Sequence, residues 1–285
     1  MANDAQFEYV QGQIRPEFPE LLADFQRLSD AVAPSGLCDL PYGPHPRQRF
    51  DHFAPTVAAQ GVLLYFHAGY WQSRDKSLFR FMVPAFQRLG FHAVWINYPL
   101  CPEVTLAELV DAALQSVPAV RRHLRSQGVE GLPWVVAGHS AGGHLAAECA
   151  LAHRQDAPPG SGGGIHGVLG ISGVYELAPL LGTTLNEKLR LTAESAAQAS
   201  VVRRVTPGLP PALWVVGGTE TQAFLDQNAA MHAAWSNAGN WSAGCPVPGA
   251  DHFTVLKDCP QWPGEAGAAF GAWWRAVRQC FSDHR

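Results

Sequence analysis

The stretch Pro133-Trp134-Val135-Val136-Ala137-Gly138-His139-Ser140-Ala141-Gly142-Gly143-His144-Leu145 leaves this chain few ways to fold. An apolar run stops at Gly-x-Ser-x-Gly and passes at once into a helix-compatible segment. Trp134 to Ala137 reads as a short buried strand. It delivers a turn so tight that Gly138 and Gly142 must flank the serine, because side chains there collide with neighbouring backbone. Ser140 is then pushed out at the strand tip. The N–H of Ala141, at the positive end of the following helix, points to where an oxyanion forms beside Ser140 Oγ.

A strand-elbow-helix unit of this kind needs a parallel sheet around it, and the rest of the chain supplies one. Phe18 to Val32 has apolar residues at Leu21, Leu22, Phe25, Leu28 and Val32, the spacing of a helix laid across the domain. Arg47 to Phe53 alternates polar and apolar side chains, which predicts an early antiparallel edge strand. Val62 to Phe66 is a continuous apolar run, as expected for a strand covered on both faces. Leu78 to Leu89 then reads as helix, Ala93 to Ile96 as strand, and Leu106 to Leu124 as a long amphipathic helix ending near Gly128. After the elbow, Ala157 to Gly164 is a Pro/Gly-rich surface loop and Val168 to Ile171 another buried strand. Residues 173–208 break the rhythm with a helical, poorly amphipathic segment, either a small lid or only a connection. Leu213 to Val216 resumes the sheet, Phe224 to Ala238 is a helix, Trp241 to Val247 a last strand and Ala266 to Phe281 a closing helix. Strands alternating with helices in this way predict one α/β domain over 1–285, a mostly parallel sheet with helices on both faces.

Composition removes several classes of function. With 47% apolar and 15% charged residues in 285, there is material for a large core and little for a disordered tail. The net charge of −4 offers no basic face for a phosphate backbone, so nucleic acid is not an expected partner. Met1 to Arg15 has no secretory pattern and no apolar run approaches membrane-spanning length. The cysteines, Cys38, Cys101, Cys149, Cys245, Cys259 and Cys280, form neither Cys-x-x-Cys nor a dense framework, which fits reduced thiols in a cytoplasm. No Gly-x-Gly-x-x-Gly follows the first strand and no His-Glu-x-x-His occurs, so neither a nucleotide cofactor nor a metal is expected.

A serine hydroxyl is a weak nucleophile until a base takes its proton, and that base needs a third group to hold its tautomer. Behind an elbow of this type the acid comes next along the chain and the histidine last. His252, in the turn Pro248-Gly249-Ala250-Asp251-His252-Phe253 after the final strand, is the candidate base, whereas His232 reads as a half-exposed surface histidine. Glu220, just past the tip of the Leu213 strand, is the candidate acid. Asp226 lies further along the next helix facing solvent, and Asp251 is better placed to cap its own turn. Gly69 and Tyr70, in His67-Ala68-Gly69-Tyr70-Trp71, join Ala141 as candidate oxyanion donors, with His67 ordering that loop. Tyr70, Trp71 and Phe253 are candidate pocket walls; His144 is read as a pocket or core residue, not a ligand.

Tyr42-Gly43-Pro44-His45-Pro46-Arg47-Gln48-Arg49-Phe50-Asp51, His67-Ala68-Gly69-Tyr70-Trp71-Gln72, Gly138-His139-Ser140-Ala141-Gly142-Gly143-His144 and Asp251-His252-Phe253 together resemble the arylformamidase (kynurenine formamidase) branch of the serine α/β-hydrolases. The elbow alone marks only the superfamily, while His-x-Gly-Tyr-Trp is more specific. The resemblance implies an α/β-hydrolase fold and cofactor-free cleavage of a small molecule, N-formylkynurenine, to formate and kynurenine. The chain departs from the family pattern at Ala68, where glycine is usual, and at Glu220, where aspartate is frequent. A carboxylesterase on small acyl esters, and a ligand-binding protein on an inactive hydrolase fold, are the alternatives. A homodimer is left open.

Overall fold

The computed structural model describes residues 4–152 and 164–283. Among the described residues eight strands form one sheet: β1 (Leu37–Pro41), β2 (Arg49–Phe53), β3 (Gly61–Phe66), β4 (Phe91–Ile96), β5 (Trp134–His139), β6 (Gly167–Ile171), β7 (Ala212–Gly217) and β8 (Ser242–Val247). Their spatial order is β1-β2-β4-β3-β5-β6-β7-β8. Only β2 runs against its neighbours β1 and β4; every pair from β4 to β8 is parallel. β3 and β5 are buried along their whole length, as the unbroken apolar runs require when helices cover both faces.

The helices are α1 (Ala5–Tyr9), α2 (Phe18–Val32), α3 (Val83–Arg88), α4 (Leu106–Ser126), α5 (Ala141–Ala152), α6 (Asn186–Leu189), α7 (Ala193–Ala199), α8 (Gln222–Asn237) and α9 (Gly264–Asp283). α2 buries Leu21 and Phe25 on one face of the sheet beside α3 and α9, while α4, α5 and α8 pack on the other. Thr105 and Glu108 form a reciprocal capping box that starts α4. α5 is buried through nearly all its length, which its small apolar composition permits.

Two expectations are corrected. The edge strand is β1, and β2 lies inside it: Leu37, Leu40 and Pro41 pair with the early alternating segment. Leu37–Pro41 is short, contains Asp39 and Pro41, and alternates exposed and half-buried residues, a pattern suited to an edge and weak in sequence. The helix expected over Leu78 to Leu89 is a 3-10 segment over Lys76–Met82 followed by α3 from Val83, with Pro84 in the first turn of α3. The loop expected at Ala157 to Gly164 falls almost wholly outside the described residues. Residues 173–208 form 3-10 turns at Ala178–Gly182 and Val201–Arg204 around α6 and α7.

The leading segment, residues 4–15, is fastened to the start of α8 and to the 173–208 segment. Thr221 Oγ1 donates to the Glu8 carbonyl, Gln13 Nε2 donates to Thr221 Oγ1, and the Ala223 N–H donates to Glu8 Oε2. Gln227 Nε2 donates to Tyr9 Oη, and Gln6 exchanges hydrogen bonds with Thr184 of the 173–208 segment.

Candidate active site

The carboxyl ends of five neighbouring strands meet at one edge of the sheet, the usual place for chemistry in an open parallel sheet. β3 ends in the loop His67–Arg74, β5 in the elbow, β6 in Ser172, β7 in the turn to Glu220 and β8 in the turn to His252. At the elbow Ser140 takes φ +56°, a left-handed backbone that its serine holds under strain. A Cβ on Gly138 would lie 2.0 Å from the Gly142 carbonyl oxygen, and one on Gly142 would lie 2.0 Å from that of Phe66. The turn therefore tolerates only glycine on either side of the serine.

Glu220 and His252 are brought together: Nδ1 of His252 and Oε2 of Glu220 are 2.7 Å apart, with both side chains buried. The other carboxylate oxygen, Oε1, accepts the Gly217 N–H at 2.7 Å and the Ser172 hydroxyl at 2.5 Å. Sequence reasoning missed Ser172; the available signal was its place one residue past β6, beside the strand that leads to Glu220. The alternatives to Glu220 are occupied elsewhere. Asp226 accepts a hydrogen bond from Gln222 in solvent, and Asp251 Oδ1 accepts the N–H groups of Phe253 and Thr254.

His252 lies against Phe224, ring centroids 4.6 Å apart, and against His139, also 4.6 Å apart, so it sits beside the residue that precedes the serine. Burial first, then the charges of His252 and Arg74, hold the His139 imidazole well below the usual histidine range and so neutral. Among the described residues Ser140 Oγ has no hydrogen-bond partner. The serine-histidine contact in ligand-free sites of this kind is often long and tightens with substrate.

The loop after β3 turns on consecutive positive φ values: +132° at Gly69, +50° at Tyr70 and +60° at Trp71. A Cβ at Gly69 would meet the Ser73 carbonyl oxygen at 2.1 Å, so glycine is required there. The Gln72 and Ser73 N–H groups close this turn on the Gly69 carbonyl at 2.9 and 3.0 Å. His67 is fully buried beneath this loop, stacked on Tyr98 with centroids 4.3 Å apart, and its Nδ1–H donates to the Ala68 carbonyl at 2.7 Å. Burial lowers its pKa to about 4, which makes it a neutral prop and not a base at neutral pH. Ala68 is buried, in the core on the side of the sheet that α2 and α3 cover.

The expected pocket walls divide. Tyr70 is half-buried and its hydroxyl donates to the Tyr9 carbonyl, tying the loop to the leading segment. Phe253 packs edge-on against Phe18, with centroids 4.9 Å apart, and touches the His139 and His252 rings. Trp71 and His144 are fully buried and meet edge to face at 5.3 Å, and His144 Nε2–H donates to the Ala199 carbonyl. Both are packed as deeply as Ser140 and His252 themselves. His232 is half-buried and bonded to Ser242. Among the described residues no group of histidines, cysteines or carboxylates is arranged to hold a metal, and no helix is long and apolar enough to cross a membrane.

Comparison with known proteins places this geometry. Residues 63–256 match the family model described as alpha/beta hydrolase fold. The chain is 31% identical to the kynurenine formamidase of Danio rerio over 78% of its own length and 76% of that protein's, and 28% identical to that of Salmo salar over the same shares. It is an arylformamidase-like α/β-hydrolase. A crystal structure from Silicibacter sp., titled as a candidate thioesterase, superposes on this α/β-hydrolase with a TM-score of 0.72 at 30% identity, covering 94% of this chain and 95% of that one. Esterase B of Lactobacillus rhamnosis shares the fold, with a TM-score of 0.73 at 17% identity over 99% and 98% of the two chains. The protein is thus an enzyme, a hydrolase.

Proposed function

We propose that this hydrolase cleaves an N-formyl aryl amide such as N-formylkynurenine through a formyl-Ser140 intermediate. The observation that carries the catalytic assignment is the hydrogen bond between His252 Nδ1 and Glu220 Oε2 beside the elbow that presents Ser140. The formamide is supported by the relatives named kynurenine formamidase, which include one from Drosophila melanogaster at 25% identity.

In this mechanism Glu220 holds His252 with its proton on Nδ1, so Nε2 is free to take the Ser140 proton as Oγ attacks the formyl carbon. The N–H groups of Gly69, Tyr70 and Ala141 receive the negative charge that develops on the formyl oxygen. The carbon–nitrogen bond then breaks as His252 returns the proton to the departing aryl amine. Water, deprotonated by His252, attacks the formyl ester; the bond to Oγ breaks as His252 returns that proton to Ser140, releasing formic acid, which ionises to formate. No cofactor enters any step.

A second reading, hydrolysis of small acyl esters by the same residues, is supported by the esterase structures that share the fold and by a 28% match over 49% of this chain to a rice protein named as a probable isoprenylcysteine methylesterase. An activated ester leaves without a proton from His252, so it asks less of the site. Steady-state rates on N-formylkynurenine and p-nitrophenyl acetate, with Ser140→Ala as the blank, decide between them. The formamidase assignment requires N-formylkynurenine turnover that vanishes in the blank. Brisk ester hydrolysis with no formamide cleavage would leave only the esterase.

A further inference from the structure

Arg74 is the last residue of the loop that begins at His67, and the mechanism above gives it no task. Its Cγ lies 3.2 Å from where a Cβ on Gly69 would stand, and its guanidinium carbon is 5.4 Å from the centroid of the Phe253 ring. One side chain thus runs from the loop bearing Gly69 and Tyr70 to the turn bearing His252. Among the described residues the Arg74 side chain has neither a hydrogen bond nor an ion pair.

No carboxylate among the described residues pairs with Arg74. Asp75 accepts from Arg47, Asn97 and the Ser77 N–H. Asp251 spends Oδ1 on its own turn. The pairing seen at Lys76 and Arg80 with Asp51, and at Arg203 with Glu176, is absent here among the described residues. Arg74 is exposed to solvent beside this turn, and its charge reaches His139. On the other flank of the same turn Arg15 donates only to carbonyls, those of Gly12, Ile14 and Thr219, and Thr219 in turn donates to the Ala250 carbonyl. The His252 turn is therefore flanked by cations that no carboxylate among the described residues neutralises. The Phe253 face steadies the guanidinium while leaving its N–H fork open, and that fork fits a carboxylate with two parallel hydrogen bonds.

We infer that Arg74 is a specificity-determining residue that receives a carboxylate on the leaving group of the substrate. This rests on Ser140 being the nucleophile and on a small acyl group, since a formyl or acetyl group has no room to carry an anion and only the departing half does.

The test uses matched substrates: 4-formamidobenzoate against formanilide, and 4-acetoxybenzoate against phenyl acetate. Each is measured with the wild type, Arg74→Gln and Arg74→Lys. Intrinsic reactivity cancels because each substrate is compared across enzymes. Arg74→Gln is expected to lower kcat/KM about tenfold on the carboxylate-bearing members, chiefly through KM, and to stay within about twofold on the neutral ones. Arg74→Lys should recover part of the loss, and added salt should erode the wild-type preference for the anion. Equal losses on both members of a pair would make Arg74 a merely structural residue and overturn the proposal. So would an unchanged ratio, or wild-type turnover confined to the neutral members. If both formanilides are inert while the esters react, the formamide assignment fails and the ester pair still decides the role of Arg74.

Discussion

Replacing Glu220 by glutamine keeps the shape of the side chain and changes only where protons sit. In the native site Oε1 faces the Gly217 N–H at 2.7 Å and the Ser172 hydroxyl, while Oε2 faces His252 Nδ1 at 2.7 Å. An amide must turn its NH2 to one side. Facing Gly217 would oppose two donors, one of them a backbone N–H that cannot rotate away, at a cost of about 1–3 kcal/mol for the unsatisfied group. The amide oxygen therefore stays with Gly217 and the NH2 points at Nδ1. His252 is then held with its proton on Nε2, the tautomer that cannot accept the Ser140 proton. A correctly placed base with the wrong tautomer costs about 10⁴ in kcat, on the order of 5 kcal/mol of barrier. Glu220→Ala should lose less than this, since water can enter and His252 regains its tautomer choice. Burst-free steady-state kinetics on p-nitrophenyl acetate, with thermal melting to confirm the fold, measure both variants. A glutamine variant that retains more than about a tenth of wild-type kcat while melting normally would refute the tautomer reasoning.

Ser140→Ala should abolish turnover, by about 10⁴-fold or more, and leave melting unchanged; residual activity in a folded variant would remove the proposed nucleophile. Ser172→Ala deletes one of the donors on Glu220 Oε1 and should lower kcat about tenfold with KM unmoved, which steady-state kinetics would read directly. His52, linked to His123 at 3.0 Å and His92 at 3.1 Å, has its pKa lowered by burial, then by those two histidines, from 6.5 to about 4. The unfolded chain thus binds the proton first. Stability is full above pH 6.5 and falls as pH drops toward 4, so the wild type should lose about 2 kcal/mol more than His52→Gln between pH 7 and 5 in denaturant melts.

The elbow, the apolar strands and the turns that carry Glu220 and His252 were legible because each is written locally. Trp134 to Ala137 is apolar without a break, the glycines beside Ser140 have one physical use, and His252 follows the last strand. The contact between Trp71 and His144 was not legible, because aromatic residues next to a catalytic motif look the same in sequence whichever neighbour they pack on. Ser172 carries no pattern of its own, and its role exists only because β6 lies beside β7. The unpaired state of Arg74 is equally invisible, since it depends on where Asp75 and Asp251 turn their carboxylates.

The bonds of the leading segment set an order of events during synthesis. Glu8, Tyr9 and Gln13 leave the ribosome early, yet their partners Thr221, Ala223 and Gln227 are made more than two hundred residues later. Until then Tyr70 has no Tyr9 carbonyl in place to hold its loop, and Phe224 is not there to back His252. A nascent chain long enough to present the Ser140 turn therefore still lacks the bond that ties down the proposed oxyanion loop and the ring that backs the proposed base. Synthesis through the His252 turn, followed by docking of residues 4–15, is the step that assembles the proposed site.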